Sequence, residues 1–204
     1  AALLGSASFA QTEPSARKIP FRSGVRLVDA LKPGDRVVTL DAPGRIDFAE
    51  TFPGTVDDEL YELSRMPEVA IFTVQDSKSF LSQDGAWVRT RVTAVVDHAL
   101  RHAAKIPWGD QPDRLVLEFE NGEIELNGVT VKAGRYPTFI TGARYLGILA
   151  YDSLGKGWKL NRGFRIGLDG KLIRLNNWDG SAAWRSGALE GLPIETVIQH
   201  LNRK

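Results

Sequence analysis

The fold of this chain is decided by residues 87–96, which read WVRTRVTAVV. One set of alternate positions is apolar or small and comprises Val88, Thr90, Val92, Ala94 and Val96. The other set includes Trp87, Arg89, Arg91 and Thr93. Successive side chains of a β-strand point to opposite faces. The stretch therefore predicts a strand with one face in a core and the other in solvent.

Similar β-type stretches, separated by turn signals, lie on both sides of this strand. They occupy residues 69–74, 115–120, 123–126, 144–151, 157–160, 164–168 and 171–175. A helix is predicted before them, because Thr55 and Asp58 have the spacing of a capping box. A second helix, at 193–203, carries an apolar stripe. This order predicts a mainly β protein, a small antiparallel OB-like barrel with a short helix before it and a C-terminal helix.

The 204 residues suit one domain. Residues 1–10, AALLGSASFA, have the small and apolar composition of a signal-peptide remnant with a cleavage site before Gln11. We therefore expect an exported protein, periplasmic or secreted. Residues 11–34 are expected to form a linker or leader, and residues 35–204 a single β-barrel domain with its barrel core at about 60–175.

The composition excludes several chemistries. The chain has no cysteine, so disulfides, thiolate metal sites and cysteine nucleophiles are absent. It holds 26 basic and 25 acidic residues, but the balance shifts along the chain: residues 1–131 hold 14 basic and 20 acidic, and residues 132–204 hold 12 and 5. In the fold, the acidic residues of the first part can neutralise the basic residues of the second part. The alternative is that the basic residues form a binding face.

A cluster of carboxylates surrounds Asn121-Gly122, a dipeptide typical of two-residue hairpins. Such a turn places Glu120 opposite Glu123 and Glu118 opposite Glu125, on one face. Opposed like charges destabilise a strand pair. Two arginines of the long strand, Arg89 and Arg91, are the expected compensating partners. The sequence thus predicts a charge-pair face, with a cation site or a basic-partner site as the alternative.

Catalytic patterns are incomplete. His98 and His102 have the four-residue spacing of a zinc-protease motif, yet Ala99 stands where that motif needs a glutamate, and no third ligand is evident. Ser153 lacks the glycine that a nucleophile elbow has two residues earlier. We therefore predict no metal, no cofactor and no enzyme activity.

Aromatic residues are the remaining binding candidates. Trp178 and Trp184 lie in the turn-rich stretch 176–187 and suit a sugar or protein partner. Further candidates, Tyr136, Tyr151 and Trp158, fall in the basic half. A surface for single-stranded nucleic acid is conceivable there on an OB-like barrel, and simple core or rim packing is the alternative.

Four stretches between about residue 60 and residue 175 carry a resemblance: Glu68-Val-Ala-Ile-Phe-Thr-Val, Gly85-Ala-Trp-Val-Arg-Thr-Arg-Val, Glu123-Ile-Glu-Leu-Asn-Gly-Val and Gly142-Ala-Arg-Tyr-Leu-Gly-Ile-Leu. This part of the chain resembles exported bacterial proteins with an OB-like barrel. These are related in layout to the netrin-like domain and the tissue inhibitors of metalloproteinases. It implies the fold alone. The inhibitors chelate the protease zinc through an N-terminal cysteine, and this chain has none.

Together these patterns favour a non-enzymatic, exported binding module that recognises a protein or glycan at the cell envelope through loops and a barrel face. Nucleic acid is not the expected partner, and no membrane span is expected. Two alternatives stay open: an envelope hydrolase using the clustered glutamates or His98 and His102, and a single-strand nucleic-acid-binding OB-fold.

Overall fold

The computed structural model describes residues 16–20, 24–41, 54–111, 113–120, 122–134, 139–153, 157–175 and 188–203. Within these ranges the chain forms ten strands and three helices. In order they are β1 (Arg17–Pro20), α1 (Leu27–Ala30), β2 (Val37–Asp41), α2 (Val56–Arg65), β3 (Glu68–Leu81), β4 (Val88–His102), β5 (Arg114–Phe119), β6 (Gly122–Leu126), β7 (Val129–Ala133), β8 (Arg144–Asp152), β9 (Gly157–Ile166), β10 (Leu172–Arg174) and α3 (Ile194–Asn202).

Five strands close into the predicted OB-like barrel. Around it the order is β3, β4, β5, β9 and β8, and β8 pairs again with β3. All pairings are antiparallel except β5 with β9, which are parallel and meet at the bridge between Leu117 and Trp158. Along β4 the residues Val88, Thr90, Val92 and Ala94 are buried, which confirms the predicted alternation.

The barrel interior is filled by apolar and aromatic side chains. Phe72 and Tyr145 stack with their ring centroids 5.8 Å apart, and Phe139 packs 5.1 Å from Tyr145. The Tyr145 hydroxyl accepts a hydrogen bond from the Ile140 backbone N–H at 2.9 Å. Burial raises the pKa of Tyr145.

Two helices cover the outer face of β3, β8 and β9. The predicted capping box at the start of α2 is present, with Thr55 and Asp58 hydrogen-bonded to each other's backbone N–H groups. Helix α3 follows Pro193, as predicted. Both helices bury apolar side chains in one cluster with Ile71 and Phe164. None of the helices in the described part of the chain is long and apolar enough to cross a membrane.

A second, four-stranded sheet packs beside the barrel in the order β1, β2, β7, β6. Strand β1 lies within the stretch expected to be a linker, and it pairs in parallel with β2. Residues 17–20 and the short helix α1 therefore belong to the folded body. The sequence also predicts a hairpin over residues 35–48, from the turn-type residues 41–44 and the spacing of Ile46 and Phe48. Its first strand is β2, and its second strand lies outside the described residues.

The predicted hairpin at Asn121-Gly122 is wrong. Strand β5 belongs to the barrel, whereas β6 pairs with β7 through a two-residue turn at Asn127-Gly128. Both turn residues have positive φ, 52° and 75°. Gly122 serves a different purpose: a Cβ there would lie 2.4 Å from the Thr90 hydroxyl oxygen, so glycine permits close approach to β4.

One ion pair fixes β1 to the rest of the small sheet. The Arg17 guanidinium donates to both Asp35 carboxylate oxygens, at 2.9 and 2.5 Å, and also to the Ala30 carbonyl oxygen at 2.9 Å. The Lys32 backbone N–H donates to the same carboxylate at 2.8 Å. These hydrogen bonds, that of Arg17 first, lower the pKa of Asp35 from 3.8 to about 2.

Acid titration should reveal this pair. Because the folded-state pKa of Asp35 is depressed, its contribution to stability is complete above the ordinary value of 3.8 and is lost as the pH falls to about 2. We expect the wild-type protein to be more stable than Asp35→Asn at pH 5 to 6, and the difference to shrink towards pH 2. Urea denaturation across this range measures it. A difference independent of pH would contradict the assignment.

Candidate functional site

A shallow groove lies where β5 and β9 meet. We call it the seam groove. Its lining comprises Arg89, Glu118, Phe119, Glu120, Asp152, Gly157, Trp158 and Lys159, and its volume is about 70 Å³. Strands β4 and β5 form one wall, and the ends of β8 and β9 form the other. Among the described pairings, β5 and β9 share a single bridge. The groove follows from this short contact between the two strands.

The floor of the groove is aromatic. Trp158 is 3% exposed and belongs to the barrel core, and its indole N–H donates to the Pro107 carbonyl oxygen at 2.9 Å. Tyr151 lies opposite Trp158 in the β8–β9 ladder. The two rings are 5.3 Å apart at 64°, in an edge-to-face arrangement. Tyr151 is 36% exposed, so part of its ring remains accessible next to the groove.

The walls of the groove carry both signs of charge. Glu118 accepts from the Arg91 guanidinium at 2.6 Å, and Lys159 lies 2.8 Å from the Asp152 carboxylate. Both pairs are partly solvated, so each contributes little to stability. Glu120 and Arg89 are exposed on the same side of the barrel. The groove therefore presents hydrogen-bond donors and acceptors with almost balanced charge.

The structure brings together members of two groups of candidate residues, aromatic and charged, that were predicted as separate sites. Of the aromatic candidates, Trp158 lines the groove and Tyr151 packs on Trp158 beside it. Of the charged candidates, Arg89, Glu118 and Glu120 line it. The other aromatic candidates, Tyr136, Trp178 and Trp184, lie outside the described residues.

The proposed four-carboxylate face does not form. Glu118 lies on β5 opposite Arg91, whereas Glu123 lies on β6 opposite Lys132, 3.1 Å away in an ion pair. Glu125 is paired in the ladder with Thr130. The face depended on a hairpin between β5 and β6, and the two strands belong to different sheets.

A buried carboxylate that sequence reasoning missed closes one end of the barrel. Glu68 is 2% exposed. Its carboxylate lies 2.6 Å from the His102 Nδ1 atom and accepts from the Ala104 backbone N–H at 2.6 Å and from the Trp108 indole N–H at 3.4 Å. Residues 102–108 are thereby tied to the start of β3. The isolated acidic residue before the apolar run 69–74 was the only sequence signal of this role.

The two histidines singled out in the sequence do not share a site. Both lie in β4, where a rise of about 3.3 Å per residue separates positions four apart by about 13 Å. On a helix the same spacing would have made them neighbours. The His102 ring packs instead on Trp108, with centroids 4.4 Å apart. No group of three or more potential metal ligands occurs among the residues described.

A larger cavity of about 390 Å³ lies between β1, α1 and Trp87. Its walls are mainly apolar and include Ile19, Leu27 and Leu40. Its one arginine, Arg17, is already bound to Asp35. The chain segments that follow β1 and β2, residues 21–23 and 42–53, lie outside the described residues.

Compared with protein-family models, with curated proteins and with solved structures, the chain matches none of them.

Proposed function

We propose that this chain is a non-enzymatic binding module that recognises its ligand through the seam groove and the adjoining loops. The observation that supports the proposal is a groove lined by charged side chains of both signs and by Trp158, with the accessible ring of Tyr151 packed on Trp158 beside it. Aromatic anchors beside a polar rim are typical of recognition surfaces. By analogy of fold alone, OB-type barrels bind ligands over their second and third strands, which here are β4 and β5.

The proposal also covers the cellular location of the protein and its relationship to other proteins. The signal-like residues 1–10 support export, with a ligand at the cell envelope. The closed five-strand barrel agrees with a distant relationship to netrin-like proteins. In this proposal the chain shares the layout of those proteins but not the cysteine-dependent inhibition of metalloproteinases.

One observation favours a second candidate function, a hydrolase. Glu68 holds His102 through Nδ1, which is how a carboxylate orients a histidine that acts as a general base. The His102 side chain is 31% exposed and could reach a substrate. Neither of the two cavities described above is lined by Glu68 or His102, however. We therefore rank binding ahead of catalysis.

A capture experiment tests the binding proposal. The chain from Gln11 onward is immobilised and exposed to an envelope extract, and both protein and carbohydrate in the eluate are analysed. Two groove variants, Tyr151→Ala and Glu120→Gln, are compared with matched controls away from the groove. Tyr61→Ala removes another exposed tyrosine, on α2, and Glu125→Gln removes another exposed carboxylate, on β6.

We expect the wild-type chain and both controls to retain the same ligand, and both groove variants to lose most of it. Full retention by the groove variants would contradict the proposal, as would capture of nothing by the wild-type chain.

A further inference from the structure

We infer that the ligand of the seam groove is a neutral oligosaccharide; this inference rests on the proposed function and specifies its ligand class. Three observations carry it: the shallow polar lining of the groove, its nearly balanced charge, and the exposed tyrosine beside it.

The lining of the groove argues against a protein partner. Five of its eight residues are charged, and its two aromatic residues, Phe119 and Trp158, are buried. Protein partners gain most of their affinity by inserting a large side chain, such as tryptophan or arginine, into a desolvated pocket. The seam groove is shallow and offers no apolar pocket for such an anchor, whereas its polar walls suit the hydroxyl-bearing edge of a sugar ring.

The charge of the groove argues against a polyanion. Its lining holds two cationic side chains, Arg89 and Lys159, and three carboxylates, Glu118, Glu120 and Asp152. Nucleic-acid sites are strongly positive because they neutralise phosphates. A phosphate backbone in this groove would face more carboxylates than cations.

A neutral ligand rich in hydroxyl groups suits the same lining. Each hydroxyl is both a donor and an acceptor. It can donate to Glu120 and accept from Arg89 without disturbing the ion pairs of Glu118 and Asp152. Because the walls hold both donors and acceptors, neighbouring hydroxyls of one ring can be satisfied together.

Tyr151 supplies the apolar contact that a sugar ring also needs. Its ring is held edge-to-face against the buried Trp158, so it is oriented before a ligand arrives. A rigid aromatic side chain loses little conformational entropy on binding. The C–H groups on one face of a pyranose can pack on this ring while the hydroxyls at its edge enter the groove.

The test is a titration of the folded chain with defined probes. Maltohexaose, cellohexaose, chitohexaose and the neutral polysaccharide fraction of an envelope extract serve as saccharide probes, and a twelve-residue oligothymidylate serves as the polyanion. Binding is followed by calorimetry and by amide NMR shifts. The variants are again Tyr151→Ala and Glu120→Gln, with Tyr61→Ala and Glu125→Gln as controls; circular dichroism verifies that each variant is folded.

We expect at least one neutral saccharide to bind, with shifts confined to β4, β5 and the ends of β8 and β9. Loss of stacking should weaken that affinity about tenfold or more in Tyr151→Ala. Glu120→Gln should also weaken it, and the controls should leave it unchanged.

The remaining outcomes separate this inference from the proposed function. If no neutral saccharide binds while the groove variants still lose a protein in the capture experiment, the ligand class is overturned and the groove remains a binding site. Salt-sensitive binding of the oligothymidylate alone would overturn the ligand class in favour of nucleic acid. Groove variants that behave as wild type in both experiments would overturn both proposals.

Discussion

An Arg162→Ala variant is expected to unfold with a free energy about 3–5 kcal/mol below that of the wild-type protein. Arg162 lies on β9 beneath α2, and its guanidinium donates to the Glu59 carboxylate at 2.7 Å. The two side chains are 9% and 4% exposed. Burial lowers the pKa of Arg162, and the charge of Glu59 opposes that shift. Removing the arginine leaves a buried carboxylate without its counter-charge.

Two comparisons make this prediction specific. The double variant Glu59→Leu/Arg162→Met replaces the pair by apolar side chains and should recover most of the lost stability, since no unpaired charge remains. Arg91→Ala, which breaks the solvated pair with Glu118, should cost at most about 1 kcal/mol. Urea denaturation of the four proteins gives the free energies. A similar cost for Arg162→Ala and Arg91→Ala would show that burial does not govern the effect.

The second large effect is expected for Trp108→Ala, at about 3–5 kcal/mol. Trp108 is 4% exposed and belongs to the barrel core, although it comes from the loop between β4 and β5. Its indole N–H donates to Glu68, and its carbonyl oxygen accepts from the Val116 N–H at 3.2 Å. Truncation removes the ring from the end of the barrel and leaves a cavity there.

Trp108→Phe is the matched control for this variant. It keeps an aromatic ring in place but removes the long 3.4 Å hydrogen bond to Glu68, so it should cost clearly less than the alanine variant. Hydrogen exchange provides an independent measurement, because amides of residues 103–111 should lose protection in Trp108→Ala before those of β3. An alanine variant within about 1 kcal/mol of wild type would contradict the role of Trp108 in closing the barrel.

The barrel was predictable because its signal is local. The alternation along β4 depends only on the period of two in a strand, and the start of α2 depends only on Thr55 and Asp58. The position of the β-hairpin turn was not predictable in the same way. Asn121-Gly122 and Asn127-Gly128 carry the same local signal, and the contact of Gly122 with Thr90, across 32 positions, decides between them.

The site was predictable residue by residue but not as an arrangement. Tyr151 and Trp158 were identified from their types, yet their contact requires the β8–β9 register. The two buried carboxylates were missed for the same reason. Glu68 meets His102 at a separation of 34 residues, and Glu59 meets Arg162 at 103. Nothing in either neighbourhood of the sequence indicates that these partners will be close.

The position of Trp158 sets unequal limits on change at the groove. Its side chain belongs to the barrel core and also lines the seam groove, so a substitution there would change the groove and destabilise the barrel together. Arg89, Glu120 and Tyr151 stand at the surface, where most substitutions alter stability by about 0.5 kcal/mol or less. Under the proposed function, a directed-evolution library aimed at ligand selectivity should therefore vary Arg89, Glu120 and Tyr151 and keep Trp158.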